Sequence, residues 1–503
     1  MSEHIPNGHP AAPRGGKTAD APVRDQGLMP NQVGVLHLVA FVVACAAPLT
    51  LMAGVAPVAI AIGGVGAPAA YLFAMVILAL FAVGYVAMAK HIRNSGAFYA
   101  FISAGLGRLL GGGAGVMTLV AYFMFTIGQT IGSAVFAQMA IGYFTGIEVP
   151  WPLLAIGVAI LLAWLGYNRV TLNARVLAIS LALEMVILLV LALVVLVQGG
   201  ADGITFGSFQ PDNLFVPGMG VVLIFSFGAF LGVEATAIYS EEAKDPRRTV
   251  RRATYISIFL LGLFYAFVLW TIVLAFGEAG IVGAAESDPE GLFFIAMEQY
   301  VGSVGVGTMY VMLFVSVFAS TLAFHNESNR YMFSLGRAGM LPKWFSRTHH
   351  RSRSPWVAGF FQIAVVLVMI LIFAAMDVDP YLEGFIFLAS AAVVGVLMTQ
   401  WLSTIAVIAF FARDARGTSV WQRLIAPILA FCGLGVAIAM MFANFELLTG
   451  VSGGVNIMLF VPLALGFVGG LIRAAVLVKR DVGGFQQNGT NDIAETVEEV
   501  EQS

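Results

Sequence analysis

Charge is what this chain has least of. Only 11% of its 503 residues are Asp, Glu, Lys or Arg, against about a quarter in a soluble globular domain. An ordinary water-soluble fold is thereby excluded. Cysteine is nearly absent: Cys45 and Cys432 stand in separate apolar blocks, so neither a disulfide framework nor a cysteine metal site is implied. No His-rich or Cys-rich cluster and no nucleophile–base pair stands out, which disfavours a membrane enzyme. The sequence implies no cofactor, no metal and no nucleic-acid partner. Residues 1–32 are polar, rich in Pro and Gly, and lack the apolar core of a secretory signal.

What the chain has is apolar length. Hydrophobic residues make up 59% of it. Blocks long enough to cross a hydrocarbon core about 30 Å thick recur near 34–63, 68–89, 113–144, 151–167, 174–197, 218–240, 255–276, 304–331, 356–376, 384–411, 424–442 and 455–478. The pattern predicts an all-α integral membrane protein of twelve transmembrane helices, with a bilayer as its solvent. The polar tail 1–32 and the acidic tail 481–503 are expected to be disordered and cytoplasmic, flanking a transporter domain over 33–480.

Basic residues are missing from one side altogether. All 25 Lys and Arg fall in the N-terminal tail, the even-numbered loops and the C-terminal end. The odd-numbered loops carry acids instead: Asp202, Asp212, Glu278, Glu286, Asp288, Glu290, Asp377 and Asp379. The positive-inside rule then places both termini in the cytoplasm of a plasma (inner) membrane protein.

Two spans are interrupted. The first reads VVACAAPLTLMAGVAPVAIAIG, with Pro48, Gly54 and Pro57; Pro48 removes a helix donor and crowds the preceding turn. The sixth reads VLIFSFGAFLGVEATAIYS, with Gly228 and Gly232. Breaks at corresponding places in two halves point to a transporter's binding site. Spans 1 and 6 lie five apart and start on opposite sides, the pattern of a five-plus-five inverted repeat. Isolated kinks are the plainer alternative, since Gly and Pro are common in membrane helices.

Four further stretches belong with these: AKHIRNSGAFYAFISAGLGRLLG after span 2, GYNRVTLNARVLAISLALE into span 5, FGAFLGVEATAIYSEEAKDPRRTVRRA through span 6, and NRYMFSLGRAGMLPKWF after span 8. Together they make the sequence resemble the amino acid–polyamine–organocation permeases. The resemblance covers residues 33 to 480. It implies a five-plus-five inverted repeat (repeat one near 34–197, repeat two near 218–411) plus two extra helices near 424–478. It also implies secondary active import of an amino acid. A polyamine or small organic amine is the alternative substrate, and exchange the alternative mode. A channel would not need paired breaks, and a receptor fits neither the span count nor the breaks. The glycine-rich SAGLGRLLGGG follows no strand and is not a phosphate loop.

The breaks give the chemistry. Unwound backbone in a membrane needs polar partners, and a bound amino acid supplies them. The free N–H groups that open the outer half of span 1, within Ala46, Ala47, Pro48, Leu49 and Thr50, would face a carboxylate. The carbonyls that end the first half of span 6, among Phe227, Gly228, Ala229, Phe230 and Gly232, would accept from an ammonium. Phe225, Phe227 and Phe230 would wall the substrate or simply pack. The family has a Gly-x-Gly turn where this chain has Ala46-Ala47-Pro48-Leu49-Thr50, and Pro48 offers no N–H. An amine lacking a carboxylate therefore stays open as a substrate.

Charges inside the membrane are costly and mark function or pairing. Glu234 follows the span 6 break, where a helix start favours a carboxylate and desolvation opposes its charge. Gating or proton coupling stands there against a structural lock. Glu184 aligns with a lysine of some proton-coupled relatives. Ser320 and Thr321 match the hydroxyls of the recurrent sodium site, or serve helix packing. We read proton coupling ahead of sodium. His325 is read as a structural histidine before a proton relay. Glu241, Glu242, Lys244, Arg247 and Arg248 form either an inner gate or a solvated face.

Overall fold

A computed structural model describes residues 33–92, 94–167, 170–349, 354–451 and 453–480, without the side chains of 170–178, 180, 453 and 455. The tails 1–32 and 481–503, with Arg14, Lys17 and Arg24, lie outside the described residues, as do Arg93, Arg169, Arg351 and Arg353. The protein is helical throughout, and no β-sheet forms among the described residues.

The first apolar block is three helices: α1 (Val35–Ala46), α2 (Pro48–Gly54) and α3 (Ala56–Gly63). Then come α4 (Ala67–Ala89), α5 (Phe98–Leu106), α6 (Arg108–Thr145), α7 (Trp151–Tyr167) and α8 (Val170–Gln198). The sixth block splits into α9 (Met219–Gly228) and α10 (Ala235–Ile238) around an irregular turn. The chain continues through α11 (Pro246–Phe276), α12 (Ile281–Ser287), α13 (Leu292–Tyr300), α14 (Ser303–Arg337) and α15 (Trp356–Ala375). A π-helical stretch, Pro380–Phe387, leads into α16 (Leu388–Arg413); α17 (Ala426–Thr449) and α18 (Gly453–Arg480) follow.

Ten helical stretches among the described residues are long and apolar enough to cross a membrane; Trp151–Tyr167 and Met219–Gly228 are shorter apolar helices. The short helices α5, α12 and α13 had no counterpart in the span pattern, because their apolar runs are below crossing length.

Burial separates the centre of the bundle from its rim. In the most apolar 18-residue stretch of Val35–Gly54 and of Arg108–Thr145, 78% of the residues are buried, whereas the share is 33% in Trp356–Ala375 and Trp421–Thr449 and 22% in Asn456–Arg480. The apolar side chains that the rim helices leave uncovered, such as Leu371, Val436 and Leu465, suit a lipid solvent. The central helices carry the polar groups. α1 packs on α8, α11 and α14, α2 on α14, and α6 on both α14 and α16.

Candidate substrate and coupling site

The break in the first block sits one residue before the proline that signals it. Ala47 turns into the left-handed region (φ 42°) and ends α1, as the residue closing a helix often does. Pro48 then opens α2 at its first position, where a helix needs no N–H and the ring's fixed φ suits the start. The proline starts the outer helix more than it damages the inner one.

Helix ends leave orphan polar groups that must find partners. At the end of α1, the Ala47 N–H serves the carbonyls of Val43 and Ala44. The Cys45 carbonyl accepts from the Ser320 hydroxyl at 2.7 Å, and the Ala46 carbonyl from the Tyr265 hydroxyl at 3.3 Å. At the start of α2, the Leu49 N–H points at Glu184 Oε2 (3.5 Å) and the Thr50 N–H donates to Ser316 Oγ (3.2 Å). The Thr50 hydroxyl donates to Ser316 Oγ at 2.9 Å, and Ser316 passes its own proton to Glu184 Oε2 at 2.7 Å. Of the donors expected to meet a substrate carboxylate, the Leu49 N–H thus faces a carboxylate of the protein itself, and those of Thr50 connect to it through Ser316.

The break in the sixth block is a tight turn through Gly232, at φ 97°. A side chain there would bring its Cβ within 2.2 Å of the Cys45 Cβ, so glycine is required twice over, by backbone and by contact. The two breaks touch at this point. Glu234 closes its own turn, accepting from the Gly232 N–H at 3.1 Å, while its backbone carbonyl accepts from Tyr85. The Glu234 carboxylate and that of Glu327 on α14 both lie 3.3 Å from the Tyr122 hydroxyl. One phenolic proton therefore stands between two buried carboxylates. Glu327 also accepts from the Cys45 thiol at 3.7 Å.

Between the breaks lies a cavity of about 50 Å³. That is room for a few water molecules, so a larger solute needs the walls to part. Of the residues predicted at the site, Ala46, Ala47, Thr50 and Gly228 line it, with Phe225. Pro48, Leu49, Phe227, Ala229, Phe230 and Gly232 do not; Phe227 and Phe230 are core residues at 2% and 1% exposure. Glu184 sits behind α2 and Glu234 on the far side of Cys45, so neither carboxylate lines the cavity. Ser320 joins the site by holding the Cys45 carbonyl, whereas Thr321 returns its hydroxyl to Val317 on its own helix at 2.6 Å.

Toward the basic-residue end of α14, Arg330 grips Glu242 with Nε–Oε1 at 2.6 Å and Nη2–Oε2 at 3.3 Å, both side chains buried. Its guanidinium lies 4.4 Å over the Tyr239 ring. Glu241 accepts from Arg337 and from the Ser95 N–H. Arg248 makes only an exposed contact with Asp245 at 3.7 Å. His325 is away from the cavity, bonded to Asn329 at 3.1 Å and covered by Gly166 and Gly359. The side chains of Asn173, Ala174, Arg175 and Val176 lie outside the described residues.

The sequence reading passed over Gln129, Tyr122, Ser316, Glu327 and Arg330. A signal existed for two of them. Ser316 and Glu327 stand four residues before and seven after Ser320, which puts all three on one face of α14. Tyr122 and Gln129 share a face of α6 by the same spacing, but polar residues within a long apolar run gave no hint of their partners.

Comparison with known proteins agrees with this architecture. The model of the amino acid permease family matches residues 36–468. An uncharacterised transporter of Rhizobium meliloti (strain 1021) is 30% identical over 303 residues, 57% of this chain and 58% of its own, so the chain spans less than two thirds of that relative. The low-affinity putrescine importer PlaP of Escherichia coli (strain K12) is 23% identical over 75% of this chain and 81% of its own. The branched-chain amino acid permease BcaP of Bacillus subtilis (strain 168) is 25% identical over 56% and 62%. With a permease model over most of its length, apolar crossing helices and two broken helices meeting at a buried cavity, the chain belongs to the amino acid permease family of the amino acid–polyamine–organocation superfamily, and is a multi-pass membrane transporter.

Proposed function

We propose that the protein is a secondary active transporter that imports an amino acid by proton symport, with Glu184 as the coupling carboxylate. The observation that carries this is the Glu184 carboxylate on the opening turn of α2, through Ser316 at 2.7 Å and facing the Leu49 N–H. A helix N-terminus is an anion site, and two carboxylates cannot share it. A neutral carboxyl holds these donors less tightly than a charged one. Protonation of Glu184 thus frees the donors of α2 for the substrate's carboxylate, and departure of the substrate returns them to Glu184. Proton and amino acid then bind with mutual help, the linkage a symporter needs.

Sodium is the less supported partner. Ser320 spends its proton on the Cys45 carbonyl, and the Gln129 amide points an N–H at Ser320 Oγ from 3.3 Å. The same carbonyl and hydroxyl would otherwise be cation ligands, and an N–H aimed at them opposes a cation.

Twelve crossings in two inverted halves of five, plus α17 and α18, fit the helix order, with α7 and the α9–α10 pair as the two short crossings. Both termini are assigned to the cytoplasm of the inner membrane from the lysine and arginine pattern. Transport proceeds by rocking around the two breaks.

A second reading has one observation in its favour. Every donor on the first turn of α2 is already taken, which suits an amine that brings no carboxylate. The two readings separate in proteoliposomes holding an imposed pH gradient without sodium. The test panel is the twenty proteinogenic L-amino acids, putrescine and ethanolamine. Amino acid accumulation that collapses with a protonophore and is lost in Glu184→Gln supports the first. Uptake confined to the amines supports the second. Uptake that appears only with sodium would refute proton coupling.

A further inference from the structure

We propose that Gln129 receives the amino group of the transported solute, its amide oxygen Oε1 accepting a hydrogen bond from a primary ammonium; this rests on the transport reading above. Gln129 lines the cavity and is 4% exposed. Its two amide atoms have different fates. Nε2 donates to Ser320 Oγ at 3.3 Å, and Oε1 has no hydrogen-bond partner among the described residues.

The orientation of the amide follows from the chain of donors. Ser320 has one proton and commits it to the Cys45 carbonyl at 2.7 Å, closing the end of α1. Only a lone pair remains on Ser320 toward Gln129. Turning the amide over would set an oxygen lone pair against it, so Nε2 faces Ser320 and Oε1 is left to the cavity. A buried acceptor without a donor is costly and needs an explanation.

Two hydroxyls line the cavity, and neither donates to Oε1 among the described residues: that of Thr50 is spent on Ser316, and that of Ser390 is the other. Phe125, Phe225 and Phe385 line the cavity around Gln129. A lone acceptor among aromatic rings repels an anion at Oε1 itself and suits a cation bearing N–H groups, one of them on Oε1 and its charge against aromatic faces. An amino acid would lie with its ammonium toward Gln129 and its carboxylate toward Thr50 and α2. A quaternary ammonium has no hydrogen to give and is excluded.

The test uses the full chain in proteoliposomes with the same panel, taking the panel member with the greatest wild-type uptake as probe. Its N-trimethyl derivative serves as a competitor. In wild type the derivative competes at least about tenfold more weakly than the unlabelled probe. Gln129→Met keeps the volume and removes the acceptor; it raises KM about tenfold or more, with kcat changed less, and erases the discrimination against the methylated form. A well-folded Gln129→Met with wild-type KM and unchanged discrimination overturns the assignment. Should Gln129→Met fail to fold, wild type alone decides: equal competition by the methylated form overturns the assignment. No uptake of any panel member by wild type, with or without sodium, would instead bring down the transport reading itself.

Discussion

Neutralising Glu242 should open the basic-residue end of the transporter. Glu242 and Arg330 pair through two contacts, 2.6 and 3.3 Å, with 4% and 3% of their side chains exposed. The same segment is tied to the start of α1, the Glu242 carbonyl accepting from the Val33 N–H and the Val33 carbonyl from the Lys244 N–H, both at 3.0 Å. Glu242→Gln strands a guanidinium that cannot lose its charge. Breaking one side of a buried pair costs about 3–5 kcal/mol. That penalty falls on the closed arrangement and is relieved once water reaches Arg330. At about 1.4 kcal/mol per decade, it shifts the closed–open balance by roughly a hundred- to several-thousandfold. A native reporter exists, because Cys45 lines the cavity at 3% exposure. With Cys432, which is exposed, replaced by serine, a membrane-impermeant maleimide reads only Cys45. Glu242→Gln should speed its labelling from the basic-residue side and not from the other. Adding Arg330→Met should restore slow labelling, since apolar isosteres of a buried pair often cost little. Labelling unchanged by Glu242→Gln in a folded protein would refute the idea that this pair seals the pathway and leave it as a static staple between span ends.

Two further substitutions test the breaks. Gly232→Ala combines a φ of 97° with a Cβ 2.2 Å from that of Cys45; backbone strain of about 1–3 kcal/mol precedes any clash, so its unfolding temperature in detergent should fall well below wild type, and an unchanged one contradicts the placement of the breaks against each other. Tyr122→Phe removes the proton between Glu234 and Glu327 and should cost about 1–3 kcal/mol; adding Glu327→Leu should recover part of that loss, and strict additivity in the thermal cycle would deny that the two carboxylates share the hydroxyl.

Composition and the alternation of basic loops made the helical bundle legible, because lipid leaves a chain few ways to satisfy its backbone. The boundaries of α7 and α15 follow directly from where apolar runs stop. The breaks were legible too, through Pro48, Gly228 and Gly232. Their chemistry was not. Which group meets the Leu49 N–H depends on Glu184, 135 residues away in sequence, and no spacing rule reaches that far. Arg330 looked like one more cytoplasmic basic residue, yet it is buried, because its partner Glu242 comes from another helix. Phe227 and Phe230 flank the break, where the sequence leaves substrate wall and packing equally open. The tight turn carries them into the core and leaves Phe225, two residues earlier, on the cavity.

One helix links these features. Along α14, Ser316 holds the start of α2, Ser320 holds the end of α1, Glu327 faces the turn of Glu234, and Arg330 holds Glu242. At about 1.5 Å per residue these four span roughly 21 Å, most of the membrane's apolar depth. The groups held lie in the two broken blocks or, for Glu242, just past the second, and the contacts are polar, the one to Glu234 running through Tyr122 of α6, so that a small tilt can break or remake them singly. Packed apolar surfaces, by contrast, yield only together. In the rocking motion proposed above, α14 can therefore stay fixed while α1 or the α9–α10 segment moves against it, the contacts near Ser316 released in one direction and those near Arg330 in the other. Glu184 bonds Ser316 and lies apart from the Arg330–Glu242 pair, so under the proton coupling proposed above a proton on Glu184 loosens α2 and leaves that pair in place. On that proposal the Ser316 contact yields first while the Arg330–Glu242 pair holds, and a proton admits a solute from one side without opening the other.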